Sequence, residues 1–316
     1  MQPLKIQAKC VLDPQGRIEH IKSALERGLE EFGPSQPHDK EIAIIGSGPS
    51  VKKQVKKIRE LREKGVMILA VKAAHDFLIK RGIFPHAALA VDPQDHIWKC
   101  FQKKLKPGEL NRPAYLIASQ CHPSTFDWLK DQRVILWHLL ATSSAKLLDG
   151  HCQIGGGSTS GSRGIVLAYM MGFRKFHLFG FDSCLEPGKG PERMLRKIDG
   201  QEWGSDKEKI LELVCEGKTF YADPAMAAQA NEIQDVFRML EGAKIKAYGK
   251  GLIQTVIKSN ASKGMEGYYA PNHKFGKKAI PRVREEDVAL VKKRVQSARD
   301  GVYRGRYYYT ECEVAA

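Results

Sequence analysis

The chain has 316 residues, with 51 Lys and Arg against 36 Asp and Glu, a formal charge of +15. Its apolar fraction of 42% with 28% charged residues is that of a globular protein and excludes disorder through most of the chain. No apolar run approaches the roughly 20 residues that span a bilayer, so no membrane partner is expected.

The first residues (MQPLKIQAKCVLDPQGRIEH) carry no apolar stretch of the secretory kind. Seven scattered Cys without a CxxC pair indicate neither a disulfide framework nor a thiolate zinc site, and the expected compartment is a reducing cytoplasm. At roughly 150 residues per domain, the length allows one large α/β domain with additions, or two domains. Residues 1–38 read as an N-terminal extension, 39–257 as the main domain and 258–316 as a basic C-terminal extension.

In chain order, a short strand is expected near Leu4–Val11 and a helix near Arg17–Phe32, where Ile18, Ile21, Leu25 and Leu29 keep helical spacing up to the Gly33-Pro34 break. Glu41–Ile45 is an apolar, β-branched run entering Gly46, as a buried parallel strand enters a turn. Ser47-Gly-Pro-Ser50 forms that turn and opens a basic helix over Val51–Lys64. Strands then follow at Val66–Val71, Ala87–Val91, Ala114–Ala118, Val134–Leu139 and Lys175–Gly180. Helices are expected at Ala74–Arg81, Ser124–Lys130 and Ser162–Met171. This alternation implies βαβ units and a Rossmann-like, doubly wound, mostly parallel sheet. Ser183–Thr219 is too polar for core; Ala225–Leu240 reads as a helix and Lys244–Tyr248 as a last strand. Residues 258–316 carry +6, with one helix expected near Glu285–Arg299.

Ligands of open parallel sheets bind beyond the carboxyl ends of the strands, so the turns there are the candidate sites. Gly46, Ser47, Gly48 and Ser50 form a small-residue turn leading into a helix, suited to a nucleotide phosphate. The turn is not GxGxxG and lacks GK[ST], which excludes a dinucleotide fingerprint and a Walker loop. A second loop, Gly155–Ser162, offers the amides of Gly156, Gly157 and Gly161 and the hydroxyls of Ser158, Thr159 and Ser160. Asp92 and Asp182 follow strands, where a carboxylate holds Mg²⁺ or a ribose hydroxyl, accepts a proton, or merely caps a helix. Asp92 is the metal candidate. His75, His86, His96, His122, His138 and His151 lie near strand ends, and His122 and His138 are the best placed as bases. Cys121 beside His122 is discounted as a nucleophile, because adjacent residues in an extended chain point apart.

The order Ile-Gly-Ser-Gly-Pro-Ser, Ala-Val-Asp-Pro, Gly-Ser-Thr-Ser-Gly and Met-Gly-Phe-Arg-Lys-Phe-His-Leu-Phe-Gly-Phe-Asp resembles the MptE-like family over residues 41–258. That family includes an archaeal 6-hydroxymethylpterin diphosphokinase and bacterial motility accessory factors that glycosylate flagellin. The same segments resemble bacterial sialyltransferases that use CMP-sialic acid. The resemblance implies that Gly46, Ser47, Gly48 and Ser50 lie under a nucleotide phosphate, with Ser158 to Gly161 on base or ribose. It implies Asp182 at the nucleotide's edge and Asp92 near the transferred group or a magnesium ion. Those sialyltransferases carry a histidine base between the Gly-x-Asp strand and the late helix. Residues 185–224 hold none here, which leaves Tyr221, Asp223, His122 or His138 as substitutes.

The leading expectation is a nucleotide-dependent group transferase, a glycosyltransferase moving sugar from a nucleotide-sugar to an acceptor hydroxyl. The alternatives are a Mg²⁺-dependent diphosphokinase acting with ATP on a pterin-like alcohol, and a non-catalytic nucleic-acid-binding protein. The charge is concentrated: Val51–Lys64 carries +5 and begins at the proposed phosphate turn. Lys52, Lys53 and Lys56, with Arg304, Arg306 and Tyr307 in the tail, suit an anionic acceptor such as a hydroxymethylated base in DNA. The tyrosine-rich tail suits a homo-oligomer contact equally well.

Overall fold

The computed structural model describes residues 13–106, 109–185, 211–222 and 224–262. The strand expected at Leu4–Val11, the helix near Glu285–Arg299, and Asp223, Arg304, Arg306 and Tyr307 lie outside the described residues.

Helix α1 (Pro14–Leu25) leads to a two-residue strand β1 (Glu30–Glu31) and then β2 (Glu41–Ile45). A 3₁₀ turn over Pro49–Lys53 precedes α2 (Val55–Glu63) and β3 (Met67–Val71). Next come α3 (Ala74–Ile79), β4 (Ala87–Ala90), β5 (Ala114–Ala118), α4 (Pro123–Trp128) and β6 (Val134–Leu139). The chain continues through β7 (Gln153–Ile154), α5 (Ser160–Met170) and β8 (Lys175–Phe179). A hairpin of β9 (Leu211–Cys215) and β10 (Lys218–Ala222) precedes α6 (Pro224–Met239), β11 (Lys244–Tyr248) and α7 (Leu252–Ser262).

Nine strands form one sheet in the order β1-β6-β5-β4-β3-β2-β8-β11, with β7 also on β6, and every pairing within it is parallel. The expected Rossmann-like arrangement is therefore present. The sheet is buried on both faces, as parallel strands require. Successive residues of β2 alternate between two apolar layers. Ile42 and Ile44 pack with Ile165 and Ala168 of α5, while Ala43 and Ile45 pack with Ile58 and Leu61 of α2 and Leu78 of α3. After β2 the strands are laid outward through β3, β4, β5 and β6; β8 then returns to the other side of β2. The winding direction changes between β2 and β8, which makes their carboxyl ends the switch point of the sheet.

Besides the unexpected two-residue strand β7, four elements differ from the sequence reading, each for a local reason. The helix expected over 17–32 starts earlier and ends at Leu25: Asp13 caps it by accepting from the Gly16 N–H at 2.9 Å, Pro14 fills its first position, and Gly28 turns with φ 58°. The chain then supplies β1 to the sheet edge. The basic helix of 51–64 is broken at Gln54, its first turn being 3₁₀. Within Ser183–Thr219, residues 211–215 pair with 218–222 through Glu216 and Gly217, whose φ values of 49° and 70° make a primed hairpin turn. Helix α7 was not expected; the amide of Leu252 in its first turn donates to the Asp182 carbonyl at 2.9 Å.

Candidate functional site

The glycine turn after β2 lies against the end of β8. The amide of Gly46 donates to the Phe179 carbonyl at 2.7 Å, and that of Gly48 to the Gly180 carbonyl at 3.0 Å. The Ser50 amide donates to Asp182 Oδ2 at 2.9 Å. Three N–H groups of the turn are thus spent inside the protein. The small residues are explained by the same approach: a Cβ on Gly48 would stand 2.5 Å from Asp182 Oδ2 and 2.6 Å from the Gly180 carbonyl oxygen. Asp182 is buried and takes a second hydrogen bond, from Gln254 Nε2 of α7 at 2.6 Å. Burial pushes its carboxyl above the ordinary value, against the pull of the Ser50 and Gln254 hydrogen bonds. Asp182 therefore occupies the place at the turn where an external anion would meet the Ser50 amide.

One strand along, a different group reaches the rim. Lys72 directly follows β3 in the left-handed region, φ 49°, held by its amide on the Leu89 carbonyl at 2.9 Å. Such a backbone is costly for a lysine, and it turns the side chain over the sheet's carboxyl edge. Its Nζ lies 2.9 Å from Asp92 Oδ2, and Ser160 Oγ donates to the same oxygen at 2.7 Å. Burial would raise the Asp92 carboxyl, but the Lys72 charge and the hydrogen bonds from Lys72 and Ser160 outweigh it and hold the carboxyl below its ordinary value. Burial likewise opposes the Lys72 ammonium, and Asp92 reverses that, raising it. Each side chain keeps about a third of its surface, 31% for Lys72 and 33% for Asp92, so the pair is open to a ligand. Ser47 Oγ adjoins this group through the Val71 carbonyl, at 3.4 Å.

The second glycine loop ends in the N-terminus of α5. Gly156 and Gly157 adopt φ 86° and 77°, where glycine is required. Thr159 caps the helix in a reciprocal pair with Ser162: Thr159 Oγ1 accepts from the Ser162 amide at 3.2 Å, and the Thr159 amide donates to Ser162 Oγ at 3.1 Å. Ser160 and Gly161 are the first two residues of the helix, whose amides have no carbonyl within the helix to bond. Helix α6 braces the loop. Glu232 accepts from Ser158 Oγ at 2.5 Å, and Gln229 links Thr159 Oγ1 (3.0 Å) to Ser183 Oγ (2.8 Å).

A family model described as 6-hydroxymethylpterin diphosphokinase MptE-like matches residues 17–188, more than half of the chain. The chain belongs to the MptE-like family. The order of motifs along the strand ends had already pointed there. Among solved structures, it is similar to the MAf glycosyltransferase from Magnetospirillum magneticum AMB-1, with a TM-score of 0.57 and 15% identity. That match covers 91% of this chain and 43% of the other, so the chain spans less than half the length of that protein, and the likeness is one of fold. No curated protein matches the sequence. The activity named in that family's description is a transferase's.

In this MptE-like chain the histidines are dispersed rather than gathered at the switch point. His122 caps α4, its Nδ1 accepting from the Ser124 amide at 3.2 Å, and packs edge-on against His20. His138 is buried in β6, with Nδ1 3.0 Å from Ser119 Oγ and Nε2 3.2 Å from Glu31 Oε2. His75 and His86 are bonded within the fold, to Asp76 and Tyr115 and to the Ile68 amide. Lys52, Lys53 and Lys56 are exposed on the 3₁₀ turn and α2. Among the described residues, no helix is long and apolar enough to cross a membrane.

Sequence reasoning missed Lys72, Gln229, Glu232 and Gln254. A lysine directly after an apolar strand (Ile68-Leu-Ala-Val-Lys72) was a usable signal, since that position faces the rim. The α6 and α7 side chains gave none, because their approach depends on the long-range return of the chain.

Proposed function

We propose that the chain is a glycosyltransferase acting from a nucleotide-linked donor. The carrying observation is the Lys72–Asp92–Ser160 cluster, which sets an ammonium, a carboxylate and a helix N-terminus together beside the switch point. In this reading Lys72 and the Ser160 and Gly161 amides take the charge that builds on the leaving nucleotide phosphate. Gly156 and Gly157 shape the loop beneath it; Ser47, Ser158 and Thr159 line the nucleotide. Gly46, Gly48 and Ser50 frame the floor. Asp92, paired with Lys72, is a weak base. A donor phosphate drawing Lys72 toward itself would weaken that pairing and raise the carboxyl, readying it to take the acceptor hydroxyl's proton. Of the four proposed catalytic residues, Asp92 is the one within this cluster; Asp182 then positions the Ser50 turn, and His122 and His138 stand outside the reaction.

Diphosphate transfer from ATP is the second reading, and the family's description favours it. It needs carboxylates that hold Mg²⁺ against a triphosphate. The residues do not fit that ion as arranged: Asp92 is neutralised by Lys72, and Asp182 is buried on Ser50 and Gln254. The exposed Lys52, Lys53 and Lys56 give either enzyme a surface for an anionic acceptor, with a hydroxymethylated base in DNA as the specific proposal. A thermal-shift screen separates the readings. UDP-, GDP- or CMP-sugars should raise the melting temperature without Mg²⁺. A response confined to ATP with Mg²⁺ would support the diphosphokinase, and salt-dependent DNA binding with no nucleotide response would support a binding protein.

A further inference from the structure

At the sheet edge opposite β11, three side chains from three separate segments meet. Glu31 comes from β1, His138 from β6 and His151 from the loop that leads into β7. Glu31 Oε2 lies 3.2 Å from His138 Nε2 and 2.8 Å from His151 Nδ1. One potential ligand atom of each lies within 4.8 Å of the other two. A tetrahedral ion with bonds of about 2.1 Å sets neighbouring ligand atoms about 3.4 Å apart. Two of the three separations are already inside that value, and the third, between the two imidazoles, is within 4.8 Å.

The surroundings suit an ion as well as the spacing does. The remaining nitrogen of His138, Nδ1, lies 3.0 Å from the hydroxyl of the buried Ser119. A hydrogen bond of this kind fixes the orientation of a metal-binding imidazole and aims its other nitrogen at the ion. Side chains of His151 and Glu31 retain 30% and 38% of their surface, which leaves a solvent side for a further ligand. Two nitrogens and one carboxylate oxygen select a borderline transition ion over the all-oxygen preference of Mg²⁺ or Ca²⁺.

We propose that Glu31, His138 and His151 bind a divalent transition ion of the zinc class, with a fourth position open to water. The site stands two strands from Asp92 and is independent of the transfer reaction. Its effect is mechanical: the ion ties the edge strand β1 to β6 and anchors the loop from which Gly155–Ser162 continues.

The test uses the full chain without a histidine tag, treated with chelator and dialysed. Titration with Zn²⁺ should show one equivalent bound and a raised melting temperature, with Mg²⁺ failing to compete. Co²⁺ in its place should give the ligand-field bands of a four-coordinate site and no thiolate charge-transfer band, which separates it from the chain's cysteines. Ser119→Ala should weaken Zn²⁺ binding about 10- to 100-fold. His151→Gln keeps a donor toward Glu31, so it should leave the metal-free melting temperature unchanged while weakening Zn²⁺ by more than Ser119→Ala does. The proposal is overturned if the native chain shows no stoichiometric Zn²⁺ binding, if a thiolate band appears, or if His151→Gln binds Zn²⁺ as tightly as the native chain.

Discussion

Two glycine-rich turns border the same crevice, and they spend their backbone differently. The turn at Gly46–Ser50 directs three amides into β8 and Asp182, so its glycines serve chain-to-chain approach. The loop at Gly155–Ser162 closes its cap on itself through Thr159 and Ser162, and carries the first amides of α5 to Lys72 and Asp92. Composition cannot distinguish these uses, because both need small residues and positive or unhindered backbone. What separates them is the partner across the gap: a buried carboxylate for the first, and an ion pair a third exposed for the second.

The contrast is broken most severely at Lys72. If the second loop is the working side of the crevice, Lys72→Met should lower kcat/KM with the responsive donor by about 10²- to 10³-fold, the loss typical of removing one group that stabilises developing negative charge. An unchanged kcat/KM would return the donor phosphate to the Gly46 turn. Next in size is Gly48→Ala. Its backbone, φ −66° and ψ 149°, accepts alanine, so only the contact with Asp182 and Gly180 opposes the methyl. Overpacking there should cost about 1–3 kcal/mol in urea unfolding. Gly33→Ala, exposed with nothing within 4 Å of the new methyl, should be neutral to about 0.5 kcal/mol. Equal losses at both positions would remove the packing explanation.

How much of this was legible follows from the range of the forces involved. Between Glu41 and Phe179 the strands other than the two-residue β7 were readable because each is a continuous apolar run flanked by turn residues, and burial on both faces demands that pattern. Asp92 and Ser160 were picked singly from their positions after a strand and in a loop, but their pairing depends on α5 crossing over β4. The hairpin of 211–222 escaped because the apolar Val214 stands on the exposed face and Lys218 and Thr219 are both polar and exposed, which blurs the alternation, and Glu-Gly is a weaker turn signal than Asn-Gly. Glu31 was hidden within a helical spacing that Gly28 interrupts. Its partners His138 and His151 were visible only as isolated histidines, with no spacing that joins them.

An effect smaller than that of Gly48→Ala tests the first turn's carboxylate. Burial raises the Asp182 carboxyl in the folded chain, so the fold binds this proton more tightly than the unfolded chain does. The associated stability is present in full below the unfolded value of 3.8 and is lost as pH rises through the folded value. Asp92 runs the other way: its carboxyl is lowered, and its contribution is present above 3.8 and lost on acidification. Asp182→Asn keeps an oxygen for the Ser50 amide. Its new N–H₂ can be met by the buried Gln254 Oε1, which has no hydrogen-bond partner, after a flip of that amide. The variant should therefore hold its stability at neutral pH to within about 1 kcal/mol, and its stability-against-pH curve should lose the component that declines as pH rises. Asp92→Asn should instead remove the component that declines on acidification. If both variants change the curve in the same direction, the two carboxylates share one environment, and the division between a sealed turn and an open one fails.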